Sequence, residues 1–217
     1  MYETKYPGVF QDKSRIYTIN SGKGSVYEER LLRIGNTEYR NWDAKRSKLA
    51  AAILKGIRST GISKSDVVLY LGSATGTTAS HVSDLVPDGF VFALDFAPRV
   101  VRDIVFVCQD RKNITPILAD ANHPEEYVSR VCAVDAIYMD VAQKNQVEIF
   151  LKNVKLFLKK GGYCLLALKA RSIDVTKRPR DVYKKVEAEL TVNLDIIDEI
   201  GLDPYQKDHC MFLCRKR

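Results

Sequence analysis

The sequence contains no apolar run long enough to cross a membrane among its 217 residues. Residues 1–12 carry Tyr, Glu, Lys and Asp side chains and lack the apolar stretch of a secretory signal peptide. We therefore expect no membrane-spanning segment, no membrane partner and a cytoplasmic location.

Patterns typical of metal sites and disulfide frameworks are also missing. The chain has three His and five Cys residues, with no Cys-x-x-Cys spacing and no Cys/His cluster. The cysteines lie inside apolar runs, which is typical of core residues in a reducing, intracellular protein. We therefore expect no metal site, and we interpret His81 as a residue that packs on a helix.

Core-forming residues and positive charge are both well represented. Hydrophobic residues make up 46% of the chain, enough for a full core, and the net charge is +7. The length suits one large α/β domain, or a domain with a small appendage. The charge favours an anionic partner such as RNA, DNA or an acidic surface, and charge alone does not distinguish among them.

The first part of the chain is patterned differently from the rest. Short β-prone runs broken by glycines predict a small N-terminal β-rich domain over residues 1–42. So short a unit holds little core of its own, and we expect it to pack on a second domain, residues 43–217. The β-prone runs are 9–10, 15–18 and 25–27. Alanine, leucine and isoleucine then predict a helix over 44–56.

From residue 66 onward, short apolar runs alternate with helical patterns. This alternation predicts an α/β fold whose parallel sheet is covered by helices on both faces. Gly161 and Gly162 are expected to close the third helix, and the last two strands, without a helix between them, to form an antiparallel hairpin. The expected strands are 67–71, 90–94, 114–118, 134–139, 163–168, 194–200 and 209–214, and the expected helices are 77–85, 99–110, 143–158 and 180–191.

A glycine turn follows the first of these strands and precedes a helix. Gly72 and Gly76 let the backbone approach a ligand, and the helix start offers free N–H groups. The spacing Gly-x-x-x-Gly is neither the dinucleotide fingerprint nor the P-loop, so a pyrophosphate ligand is disfavoured and an adenosyl ligand favoured. The alternative is a tight strand-to-helix turn that binds nothing.

Three consecutive strands each end in an aspartate: Asp95, Asp120 and Asp140. Ligands of open α/β sheets bind outside the carboxyl ends of the strands, where a carboxylate such as Asp95 accepts hydrogen bonds from ribose hydroxyls. Aspartate after a strand is also common turn chemistry. That alternative explains one or two of these residues more readily than all three.

Several segments from about Arg33 to the C-terminus form a set with a characteristic order and spacing. They include Tyr39-Arg40-Asn41-Trp42, Arg46-Ser47-Lys48-Leu49, Gly76-Thr77-Thr78, Asp120-Ala121, Asp140-Val141-Ala142-Gln143, Lys169-Ala170, Pro204-Tyr205 and Asp208-His209. Together these segments resemble the fibrillarin family. The glycine/arginine-rich extension of the eukaryotic members is missing, so the chain is similar to the archaeal form.

The resemblance implies a class I S-adenosylmethionine-dependent methyltransferase with a Rossmann-like, seven-stranded sheet. It implies methylation of RNA ribose 2′-hydroxyls, in rRNA and also in tRNA. The partners implied are a box C/D guide RNA with its target RNA, a Nop-family scaffold protein and a kink-turn-binding, ribosomal-protein-like subunit.

The resemblance also implies a cofactor site. Its residues would be Gly72, Gly76, Thr77, Thr78, Asp95, Phe96, Asp120, Ala121, Asp140, Val141, Ala142 and Gln143. The family usually has glutamate in place of Asp95, and the shorter carboxylate still reaches ribose hydroxyls.

The catalytic residues implied by the resemblance are Lys48, Asp140, Lys169 and His209. A ribose hydroxyl is a weak nucleophile, and a lysine beside other cations can act as its base. Lys169 ends an apolar strand, where a lysine is costly without a function. Lys169 and Lys48 both stay open as the base.

A basic stretch follows the fifth strand, with Arg171, Lys177, Arg178 and Arg180 among its members. It predicts contacts with the phosphate backbone of RNA, the alternative being a solvated helix face. Two rival functions also stay open. One is a stand-alone methyltransferase acting on tRNA, rRNA or a protein glutamine, and the other is a non-catalytic subunit of a ribonucleoprotein.

Overall fold

The computed structural model describes all residues, 1–217, and contains two β-sheets. The N-terminal sheet is antiparallel throughout, in the order β1-β2-β3-β5-β4. Its strands are β1 (Tyr2–Glu3), β2 (Val9–Asp12), β3 (Arg15–Ile19), β4 (Leu31–Ile34) and β5 (Thr37–Trp42).

The strand predicted at 25–27 is wrong. The backbone N–H groups of Val26 and Tyr27 donate to the carboxylate of Glu29, at 2.8 to 3.0 Å, instead of to a neighbouring strand. A buried carboxylate therefore satisfies backbone donors that a sheet would otherwise have paired.

The second sheet has seven strands in the order β11-β12-β10-β9-β6-β7-β8. The five consecutive strands from β10 to β8 in this order are mutually parallel, whereas β12 runs antiparallel to both of its neighbours, β10 and β11. The predicted fold class, including the C-terminal hairpin, is therefore confirmed. The strands are β6 (Val67–Leu71), β7 (Phe90–Asp95), β8 (Ile114–Leu118), β9 (Val134–Met139), β10 (Leu158–Lys169), β11 (Leu194–Gly201) and β12 (His209–Lys216).

Helices cover both faces of the larger sheet. One apolar core lies between the sheet, α1 and α2, and the other lies between the sheet, α4 and α6. The helices are α1 (Lys48–Lys55), α2 (Thr77–Leu85), α3 (Pro98–Gln109), α4 (Gln146–Phe157), α5 (Ala170–Ile173) and α6 (Pro179–Thr191), with 3₁₀ turns at Pro124–Glu126 and Val128–Arg130. None of the helices combines the length and apolarity needed to span a bilayer.

Two predicted helix ends need correction. The first helix begins at Lys48 rather than at residue 44, because the side chain of Ser47 accepts a hydrogen bond from the Ala50 N–H and caps it. Gly161 does not close a helix, since α4 already ends at Phe157. It lies instead in β10 with a φ of +76°, where the pairing with β9 shifts register.

The N-terminal sheet shares its core with the larger one. Val9, Ile16 and Trp42 are buried in the same cluster as α1 and α2, and the Trp42 ring stacks on His81 with centroids 4.9 Å apart. His81 is fully buried, as expected of a packed histidine. The division of the chain after residue 42 stays a prediction.

Candidate active site

A pocket of about 350 Å³ lies at the carboxyl edge of the parallel strands. It collects the ends of β6, β7, β8 and β9, which is where ligands of open α/β sheets bind. Most of the residues predicted to hold a cofactor line it. The lining residues are Gly72, Ala74, Leu94, Asp95, Phe96, Asp120, Ala121, Asp140, Val141, Ala142 and Gln143.

Gly72 brings the end of β6 against the end of β9. It has a φ of +77°, and a Cβ added there would lie 2.6 Å from the carbonyl oxygen of Asp140. The Asp140 N–H donates to the carbonyl oxygen of Leu71 at 2.9 Å, which holds the two strand ends together. Only glycine fits this position, on grounds of both conformation and space.

Asp95 holds the glycine turn in place. Its carboxylate accepts hydrogen bonds from the N–H groups of Ala74, at 3.0 Å, and Ala97, at 3.1 Å. The residue is 9% exposed and lies in the pocket wall. The carboxylate is therefore fixed by the backbone on both sides before any ligand binds.

Asp120 belongs to a polar network that the sequence did not reveal. Its Oδ1 accepts from both the backbone and the side chain of Asn122, each at 2.9 Å, and these bonds lower the pKa of the carboxyl group. The Asn122 amide also donates to Gln143 at 3.1 Å. Asn122 thus joins the pocket wall after β8 to the wall after β9.

Gly76, Thr77 and Thr78 do not line this pocket. Gly76 is the residue immediately before α2 and has a φ of +90°, and the Thr78 hydroxyl donates to the Ser47 hydroxyl at 3.0 Å. Thr77 lines a separate cavity of about 370 Å³ with Tyr27 and the α3 face. Their contact with a cofactor stays a prediction.

The four residues predicted to be catalytic converge beside the pocket. The Lys48 ammonium lies 2.9 Å from each oxygen of the Asp140 carboxylate. Lys169, at the end of β10, is the cross-strand partner of His209 in β12. Burial lowers the pKa of His209, and the positive charges of both lysines act in the same direction, while the hydrogen bond to the Lys207 carbonyl and the Asp140 carboxylate oppose them.

His209 has a defined tautomer. Its Nδ1 lies 2.7 Å from the carbonyl oxygen of Lys207, which can only accept, so Nδ1 carries the proton. In the neutral ring, Nε2 is then an acceptor. The residue is 9% exposed.

Two glutamines that sequence reasoning missed support this group. The amide of Gln206 donates to the carbonyl oxygens of Ala44 and Lys45, at 2.9 and 2.7 Å. These bonds hold the segment just before α1 against the loop before β12. Gln146 hydrogen-bonds to the backbone of Lys169. Neither has a sequence signal, because each partner lies far away along the chain.

The basic stretch beside the site is partly neutralised. Carboxylates pair with Arg171 at 3.2 Å, with Lys177 at 3.8 Å and with Arg178 at 2.8 Å. Arg178 and Arg180 also line a groove of about 940 Å³, together with two lysines and three aspartates. Contact with RNA stays a prediction for these residues.

The strand order, with the antiparallel β12 inserted between β10 and β11, and the pocket at the carboxyl edge define a class I S-adenosylmethionine-dependent methyltransferase fold. A family model described as Fibrillarin matches residues 1–217. The chain belongs to the fibrillarin family.

Relatives resemble the chain over nearly its whole length. It is 50% identical to a fibrillarin-like rRNA/tRNA 2′-O-methyltransferase of Methanocaldococcus jannaschii, over 92% of this chain and 87% of the relative. Aeropyrum pernix fibrillarin, solved with natively bound S-adenosyl-L-methionine, is 50% identical with a TM-score of 0.85, covering 92% of this chain and 88% of that one. The structure of a fibrillarin/Nop5p complex contains a chain that is 38% identical with a TM-score of 0.92, covering 99% of this chain and 100% of its own.

Proposed function

We propose that this chain transfers a methyl group from S-adenosylmethionine to ribose 2′-hydroxyls of rRNA and tRNA. The observation that carries the proposal is the convergence of Lys48, Asp140, Lys169 and His209 beside the carboxyl-edge pocket. The names of the relatives support the same reaction.

The pocket fits this cofactor. Its wall combines apolar side chains with three aspartates and contains no lysine or arginine. Such a surface suits an adenosine group whose attached chain carries positive charge, and it disfavours a phosphate. When bound, S-adenosylmethionine supplies an electrophilic methyl group on a sulfonium centre.

The chain's own residues then act on the ribose hydroxyl. Asp140 fixes the position of Lys48, since both of its carboxylate oxygens contact the ammonium group. Lys169 takes part in no ion pair within the chain, and we assign the hydroxyl proton to its Nζ. Neutral His209 adds no third positive charge beside the lysines and keeps Nε2 as an acceptor.

Substrate selection would come from partners. In this proposal the chain is the catalytic subunit of a box C/D ribonucleoprotein, with a guide RNA, a Nop-family scaffold and a kink-turn-binding subunit. The fibrillarin/Nop5p complex of a relative supports the scaffold. The groove that contains Arg178 and Arg180 lies beside Asp208, next to His209, and would contact RNA phosphates there.

Methyl transfer with components omitted tests this function. Labelled S-adenosylmethionine is incubated with the chain and a target RNA, with and without the guide RNA and both partner proteins. The proposal predicts label in the target only with the full set. Label without guide or partners would favour a stand-alone methyltransferase instead.

A further inference from the structure

Lys169 lies past the end of the neighbouring strand β9, at the last position of β10. The parallel pairing of β9 with β10 ends at Met139 opposite Leu166, and the chain after β9 then turns into the pocket wall. β10 continues to Lys169. On its other side, Lys169 is the register partner of His209. The backbone of the proposed catalytic lysine therefore has a strand neighbour on one side only.

The side chain of Gln146 fills the other side. Its Oε1 accepts from the Lys169 N–H at 3.0 Å, and its Nε2 lies 3.2 Å from the Lys169 carbonyl oxygen. The same Nε2 donates to the carbonyl oxygen of Gln143 at 2.9 Å. Gln146 is the first residue of α4 and has no exposed surface. One carboxamide thus replaces the missing strand and joins Lys169 to the pocket wall.

We infer that Gln146 is a positioning residue, which fixes Lys169 relative to the pocket through these three hydrogen bonds. The inference rests on the proposed function, because it assigns Lys169 to the reaction. The position needs an acceptor and two donors in one side chain, a combination that glutamine supplies. Because the Gln146 side chain is fully buried, loss of its carboxamide would leave the Lys169 N–H without its partner. A small displacement of a reacting group lowers the rate strongly, whereas it changes cofactor binding little.

The test compares Gln146→Met with a matched control, Asn113→Leu. Both variants replace a carboxamide with an apolar side chain of similar size. The Asn113 amide donates to the carbonyl oxygens of Ser83 and Val86, both at 2.8 Å, at the end of α2 away from Lys169. Four quantities are measured: the melting temperature, the hydrogen-exchange rate of the Lys169 amide, the dissociation constant for S-adenosylmethionine, and the single-turnover rate of methyl transfer in the full complex at saturating S-adenosylmethionine.

Gln146→Met is expected to speed exchange of the Lys169 amide at least about tenfold and to slow methyl transfer by about tenfold to a hundredfold. The dissociation constant for S-adenosylmethionine is expected to stay within about threefold of the wild-type value, because the Gln146 hydrogen bonds position Lys169 and do not contact the cofactor. Both variants are expected to lower the melting temperature by similar amounts, because each loses the hydrogen bonds of one carboxamide. Asn113→Leu is expected to leave the exchange rate of the Lys169 amide and the rate of methyl transfer unchanged.

Two results would overturn the inference. One is a Gln146→Met protein that melts earlier yet keeps the wild-type exchange and methyl-transfer rates. The other is an equal loss of rate in both variants. If the wild-type complex fails to methylate its guided target while the Lys169 amide still responds to Gln146→Met, the proposed function fails and the positioning contact stands.

Discussion

The Lys48 ammonium contacts both carboxylate oxygens of Asp140, a residue 92 positions away in the sequence, at 2.9 Å. The contact ties the start of α1 to the end of β9, at the border of the pocket. Both side chains are partly exposed, at 21% and 16%, so the pair is accessible to a substrate. It joins the proposed catalytic group to the pocket that would hold the methyl donor.

Asp140→Asn should lower the rate of methyl transfer at least about a hundredfold, because Lys48 loses the charge that holds it and the pocket loses a carboxylate. Single-turnover assays at saturating S-adenosylmethionine measure the effect.

The same strand offers a matched control. Asp135 lies near the amino end of β9, away from the pocket, and pairs with Lys159 at 2.6 Å. Asp135→Asn removes an ion pair of the same chemistry and should leave the rate unchanged. Equal rate losses in the two variants would show that the Lys48–Asp140 contact has no special role.

Asp95 should determine the affinity for S-adenosylmethionine. Asp95→Ala removes a carboxylate from the pocket wall and releases the backbone N–H groups of Ala74 and Ala97, so the dissociation constant should rise at least about tenfold. Asp95→Glu keeps the carboxylate and should stay within about threefold of wild type. Titration calorimetry checks both values, and tight binding by Asp95→Ala would contradict the assignment.

The pH dependence of the rate should report His209. Its folded-state pKa lies below the usual value of about 6.5, mainly because of burial. The ring is therefore neutral above about pH 6.5 and gains a third positive charge beside the lysines as pH falls through the lowered pKa. The ratio of the wild-type rate to the His209→Gln rate should be constant at pH 7 to 8 and should fall at lower pH. A ratio independent of pH would rule out this role.

Arg40 should be important for folding rather than for the reaction. Its guanidinium is fully buried and contacts Glu29 at 2.6 Å and Asp84 at 2.9 Å. Arg40→Met leaves both carboxylates with less compensation and should lower the free energy of unfolding by about 3–5 kcal/mol. Urea denaturation measures this loss.

An exposed ion pair provides the comparison for Arg40. Lys152 and Glu148 pair at 2.8 Å on the surface of α4. Lys152→Met should leave the urea midpoint unchanged, because solvent screens such a pair. Similar shifts in the two variants would contradict the importance assigned to burial.

The larger sheet was predictable because its central strands are buried on both faces. Such strands form continuous apolar runs, and the two at 67–71 and 134–139 match the structure at both ends. The edge strand at 114–118 also has the predicted bounds, although it is only partly buried. Aspartates at the ends of three of these strands lie at one edge because parallel strands all end on the same side of the sheet, and all three, Asp95, Asp120 and Asp140, line the pocket.

Other features depend on contacts between distant segments. The strand Thr37–Trp42 contains mostly polar residues and buries Arg40, whose partners come from a loop and from α2. The contact of Gln146 with Lys169 could be predicted only by knowing that β10 continues three residues past its last pair with β9. No local pattern reveals such contacts, whereas the resemblance to fibrillarins did point to Lys48 and His209.

The most direct test of the proposed reaction is methylation of two target RNAs that differ in one atom. One target carries a ribose 2′-hydroxyl at the guided nucleotide, and the other carries a 2′-deoxy sugar there. Both are incubated with labelled S-adenosylmethionine and the complete complex. We predict label on the hydroxyl target alone, and loss of that label with Asp140→Asn but not with Asp135→Asn. Label retained on the deoxy target would contradict this prediction.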